Sequence, residues 1–119
     1  MMSNKMLTIR AREWPVLAPL VRGDEEPNLM AVPYTSDIDV PVPYMRWING
    51  SAIVVAANRH RYREARLTMQ IPLMPLGQSP SGKYVVRDLW NEGKPETYTK
   101  EQLAHFDCTV RRDKTPRGD

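Results

Sequence analysis

General acid–base work needs two carboxylates held on either side of one bond. Asp88 lies in a strand-like run beside Leu89, and the other acids fall mainly in loop-like stretches. The sequence therefore places no pair, and Asp88 reads as a structural hydrogen-bonding residue. His60, His105 and Cys108 are the remaining groups with metal-binding or nucleophilic character. His105 and Cys108 are three apart, which in a strand puts them on opposite faces. Cys108 then reads as a small buried apolar group, and neither a metal nor a cofactor is expected. Trp47, Trp90, Tyr44 and Tyr84 could offer flat apolar faces to sugar rings, with Trp47 and Trp90 the candidate contacts. The competing reading is packing in the core and at a domain interface. Arg-Gly-Asp occurs at 22–24 and 117–119, and Asn49-Gly50-Ser51 matches the glycosylation acceptor pattern. Ordinary turns account for the first Arg-Gly-Asp and for the Asn-Gly-Ser.

Charge is uneven along the chain. Residues 1–58 hold 5 Lys/Arg and 6 Asp/Glu, net −1, and residues 59–119 hold 12 and 8, net +4. Arg59, Arg61, Arg63 and Arg66 crowd one link. Apart from Tyr62 they are not interleaved with stacking aromatics, so a solvated loop is expected there rather than a nucleic-acid surface.

These residues must be positioned by a chain of 119 residues, enough for one domain with a core of its own. Hydrophobic content is 41% and charged content 26%, as in an ordinary globular domain. One cysteine excludes an internal disulfide. No apolar run is long enough for a membrane helix, and the opening Met-Met-Ser-Asn-Lys-Met lacks a signal-peptide core. The expectation leans to the cytoplasm.

The centre of the pattern is 44–58. Asn49-Gly50 sits between two apolar, β-prone runs and predicts a tight hairpin. Ala52 to Ala57 is apolar throughout, as suits a strand covered on both faces. Further strands are predicted at 29–34, 64–73, 83–90, 94–98 and 106–110. In 64–73, Leu67, Met69, Ile71 and Leu73 alternate with Arg66, Thr68 and Gln70, and Pro72 marks the end. Thr99 and Gln102 have capping-box spacing for one short turn. At the start, Met6, Leu7 and Ile9 among polar residues read as a helix over 4–14, ended by Pro15. The fold class is all-β, an antiparallel, Greek-key-like β-sandwich after a short N-terminal helical segment.

The run Tyr84-Val85-Val86-Arg87-Asp88-Leu89-Trp90-Asn91-Glu92-Gly93 resembles a strand and turn of the C-terminal β-sandwich of glycoside hydrolases, above all the α-amylase family. The order of the preceding segments is similar as well. Lys5 to Arg10 with Glu13-Trp14-Pro15-Val16-Leu17 looks like the helix that leaves the catalytic barrel of those enzymes. Val54-Val55-Ala56-Ala57-Asn58 looks like a strand of their sandwich, and Ile71-Pro72-Leu73 follows in order. The resemblance spans roughly 5–111. It implies three parts: 1–15 as the tail of a barrel helix, 16–111 as the sandwich, and 112–119 as a polar tail cut at a turn. The family's catalytic carboxylates belong to the barrel, so none is carried over to this chain.

The resemblance thus implies a non-catalytic domain of a carbohydrate-active enzyme acting on α-glucans. Its partner would be the catalytic barrel, which it would stabilise, and its own sugar binding would be weak or nil. The alternative is an independent carbohydrate- or protein-binding sandwich. An unclosed edge near 106–110 would permit self-association. Neither a nucleic acid nor a membrane is an expected partner.

Overall fold

The computed structural model describes residues 3–10, 28–48, 50–60, 62–77, 79, 81–89 and 94–112. Within them run β1 (Ser3–Arg10), β2 (Asn28–Ala31), β3 (Tyr34–Ser36), β4 (Tyr44–Ile48), β5 (Ser51–Asn58), β6 (Ala65–Met69), β7 (Lys83–Asp88), β8 (Glu96–Thr99), a short helix α1 (Lys100–Ala104) and β9 (Phe106–Val110). Every pairing is antiparallel. One sheet has the order β2-β4-β5-β1-β7-β8, and a second has β3-β6-β9. Leu7, Met45 and Val54 of the first share one buried cluster with Leu67, Met69 and Phe106 of the second. The architecture is therefore the expected antiparallel sandwich. β2, β4 and β5 succeed one another across the large sheet and β1 lies beside β5, a Greek-key order with β3 diverted to the other sheet.

The hairpin forms where Asn-Gly requires it. Ile48 is registered with Ser51, which leaves a two-residue turn, and Gly50 has φ +80°. β5 is buried along its whole length. Ala52, Val54 and Ala56 face the core, while Ile53 and Val55 pack on the other side with Met6 and Ile48.

The opening segment corrects the expected helix. Residues 3–10 are a strand between β5 and β7, in register from Ser3↔Asn58 to Arg10↔Ser51 on one side and Leu7↔Asp88 to Arg10↔Val85 on the other. Leu7 and Ile9 join the core cluster, Met6 packs on the opposite face, and Thr8 between them is fully buried. A strand buried on both faces loses the polar alternation that marks half-covered strands. Its closely spaced apolar residues then imitate helical spacing. Ladders to two neighbours outweigh that local signal. Residues 11–27, with Trp14 and the first Arg-Gly-Asp, lie outside the described residues. So do Asn49, Arg61, residues 90–93 with Trp90, and the tail 113–119.

The strand expected at 29–34 is two strands in different sheets. Pro33 has no N–H to give a ladder. The Val32 N–H donates to the Pro43 carbonyl at 2.9 Å, and the Pro33 carbonyl accepts from the Gln70 N–H at 2.9 Å. The backbone thus changes sheet over two residues. The strand expected over 64–73 stops at Met69, ahead of Pro72. The capping box forms at α1: the Thr99 N–H donates to Gln102 Oε1 at 2.8 Å and the Gln102 N–H donates to Thr99 Oγ1 at 3.2 Å. α1 drops Leu103 fully into the core, and the Leu103 carbonyl accepts from the Ile71 N–H. No helix among the described residues is long and apolar enough to cross a membrane.

Candidate functional site

The two sheets differ in width, and the difference makes a cleft. β9, the end strand of the small sheet, packs against β1 and β5 in the middle of the large one. β7 and β8 continue past it. Their inner face and the inner face of β6–β9 enclose a cleft of about 710 Å³.

The register dictates its lining. Tyr84 pairs with Tyr98 and Val86 with Glu96, so Glu96 and Tyr98 share the inward face of two buried residues. Asp88 follows Val86 by two and takes the same face. Leu7 and Val86 form the floor, Lys94 and Asp88 lie along one wall, and Phe106 and Cys108 form the wall opposite. The Tyr98 and Phe106 rings lie 5.2 Å apart and tilted by 55°. The Tyr98 hydroxyl donates to Glu96 Oε2 at 3.0 Å. Burial, and then the Glu96 carboxylate, push the Tyr98 phenol above its ordinary pKa. It stays a neutral donor. The cleft thus presents the partly buried Tyr98 ring, backed by the core residue Phe106, with carboxylate acceptors and an ammonium donor over an apolar floor.

Asp88 and Glu96 stand on adjacent strands of one sheet. Hydrolysis of a glycosidic bond needs carboxyl groups on both sides of it, about 5 Å or 6.5–9.5 Å apart. Two acids on one wall suit hydrogen bonding to a ligand lying over them.

The aromatic residues marked out by type do not gather on one face. Trp47 pairs with Ala52 and packs partly buried against the core. Tyr84 is buried on the inner face of β7. Tyr44 pairs with Val55 on the outer face and is 39% exposed. His60 and His105 lie toward opposite ends of β9. The His60 N–H donates to Asn58 Oδ1, and the Asn58 amide reaches Val110 and Arg111; His105 precedes Phe106. His60 Nε2 is 2.7 Å from the Asp39 carbonyl, in a shallow pocket with Arg59. Among the described residues no cluster of His, Cys, Asp and Glu could hold a metal ion.

The basic link is tied down by acids. Arg63 Nη2 donates to Asp37 Oδ2 at 3.2 Å, the Arg66 N–H donates to Asp37 Oδ1 at 2.9 Å, and the Arg66 guanidinium lies 3.8 Å from Glu64. The Arg66 N–H chiefly, with Arg63 and Arg66 charge behind it, holds the Asp37 carboxyl below its ordinary pKa. These groups remain exposed, as in a solvated loop.

Glu96, Tyr98 and Phe106 were not singled out by residue type. Their signal is the alternation Lys94, Glu96, Tyr98 about Pro95 and Thr97, legible once β8 is paired with β7. The fold and cleft define the class, an antiparallel β-sandwich with an open intersheet cleft. Compared with known protein families, curated proteins and solved structures, the chain matches none. The resemblance to glycosidase sandwiches rests on the strand motifs alone.

Proposed function

We propose that the chain is a non-catalytic, carbohydrate-binding β-sandwich module whose sugar lies in the cleft between the sheets. The observation that carries this is the Tyr98–Phe106 pair beside Glu96, Asp88 and Lys94. An aromatic face takes the C–H side of a sugar ring, and mixed acceptors and donors take its hydroxyls. A peptide adding as a strand fits less well. β8 is only four residues long and is guarded by Pro95, Lys94 and Glu96, all features of a protected edge.

The reading as a barrel-stabilising domain of an α-amylase-type enzyme leaned on an opening helix. With a central strand there, it keeps only the order of the strand motifs. The test is titration of the chain with malto- and chito-oligosaccharides, followed by amide shifts. Saturable shifts at Glu96, Tyr98 and Cys108, with no turnover of the sugar, are expected. Absence of binding, or shifts confined to Trp47 and the far edge of the large sheet, would remove the cleft as the site.

A further inference from the structure

We infer that the cleft recognises a protonated amine, so that its ligand is an amino-sugar chain and not a neutral glucan. This rests on the reading of the cleft as a carbohydrate site. The first observation is the aromatic pair with a carboxylate attached. Tyr98 donates its phenol proton to Glu96 at 3.0 Å, with Phe106 tilted against the same ring. A phenol that donates to an anion has a more electron-rich ring, which draws a cation over its face more strongly. Glu96 is itself exposed at the mouth and supplies the counter-charge.

The second observation is the balance of charge. Asp88 and Glu96 share the cleft with Lys94, whereas Asp107, like Arg66, lies on the outer face of the small sheet, where it accepts from the Thr68 hydroxyl at 2.6 Å. Arg66 alternates with the core-facing Ala65 and Leu67, and its guanidinium turns to Glu64 on the other face. That leaves Lys94, among the described residues, as the cation of the cavity. The whole chain carries +3. A general electrostatic field would repel an amine, so a preference for one must arise locally. An N-acetyl group or a hydroxyl in the same place meets no matching charge.

The experiment compares glucosamine oligomers, their N-acetylated counterparts and malto-oligosaccharides of equal length by calorimetry and amide shifts. At low ionic strength the glucosamine oligomer should bind about tenfold tighter than the other two, as expected for one partly desolvated cation–π and ion-pair contact. The advantage should shrink in high salt, in Glu96→Gln and, to a smaller degree, in Tyr98→Phe, and grow in Lys94→Met, which removes the competing cation. Glu96 and Lys94 are exposed, and a thermal melt of each variant checks that it folds. Equal affinity for all three sugars, with shifts in the cleft, would overturn the amine inference and leave the carbohydrate site standing. An advantage unchanged in Glu96→Gln would overturn it as well. Failure of all three to bind would remove both readings together.

Discussion

Asn58 should be among the most sensitive positions in the molecule, although it belongs to no binding surface. It ends β5 and is fully buried. Its Nδ2 donates to the carbonyls of Arg63 at 2.9 Å, Arg111 at 3.1 Å and Val110 at 3.3 Å. Its Oδ1 accepts the His60 N–H at 2.9 Å. One carboxamide therefore ties the end of the large sheet to the end of the small one, and shapes the link between β5 and β6. Each such bond is worth about 1 kcal/mol net, and a buried partner left unsatisfied costs about 1–3 kcal/mol. Asn58→Ala removes four contacts, but the carbonyls of Arg63 and Arg111 lie close enough to solvent to recruit water. The expected loss is about 3 kcal/mol, a large part of a typical 5–15 kcal/mol. For a domain of this size that lowers Tm by about 10 °C. Asn58→Asp should be at least as damaging, since an anion would face three carbonyl oxygens. Urea denaturation with thermal melts gives the numbers. A loss below about 1 kcal/mol for Asn58→Ala, with an unchanged denaturant slope, would refute the clamp.

Three further outcomes follow from single groups. Thr8 is fully buried and its Oγ1 has no hydrogen-bond partner among the described residues, so Thr8→Val should stabilise the chain by about 1 kcal/mol in urea; a destabilised variant would show that the hydroxyl is satisfied. Asp37 has a depressed carboxyl pKa, held down first by the Arg66 N–H, so its contribution is present above about 3.8 and is lost as pH falls through the lowered folded-state value. Asp37→Asn should therefore flatten the acid limb of a stability-against-pH curve, and an identical limb would count against the pairing. Thr99→Ala breaks the capping box and should cost about 1 kcal/mol, read as a matching drop in urea stability.

Much of the fold is legible in the chain because local chemistry and tertiary demand agree there. Asn49-Gly50 predicts the turn that two apolar arms need, and Thr99 with Gln102 caps the short helix α1. Leu67, Met69, Phe106, Cys108 and Val110 alternate as half-covered strands must. The failures occur where a strand is covered twice or changes sheet. β1 carries apolar groups on both faces, so its period is masked. β2 and β3 share one apolar run that only Pro33 divides. The cleft is harder still to foresee. Alternation reports which residues share a face, but not which strand lies opposite them. Trp47, conspicuous by type, packs against the core, and Tyr98 meets Phe106 from the strand that faces it.

The cleft is a consequence of counting strands. Six strands in one sheet and three in the other cannot cover each other. β9 stops over β1 and β5, so the inner face of β7 and β8 changes character along the ledge. Tyr84 and Val86 on β7 are buried; Asp88, at the end of the same strand, and Glu96 and Lys94, at the start of β8 and just before it, are polar. Solvation alone would account for polar groups on a projecting ledge. At the boundary Tyr98 packs on the core residue Phe106 and turns its hydroxyl onto Glu96. That boundary joins an apolar face to directed polar groups, as recognition of an amphipathic ring requires.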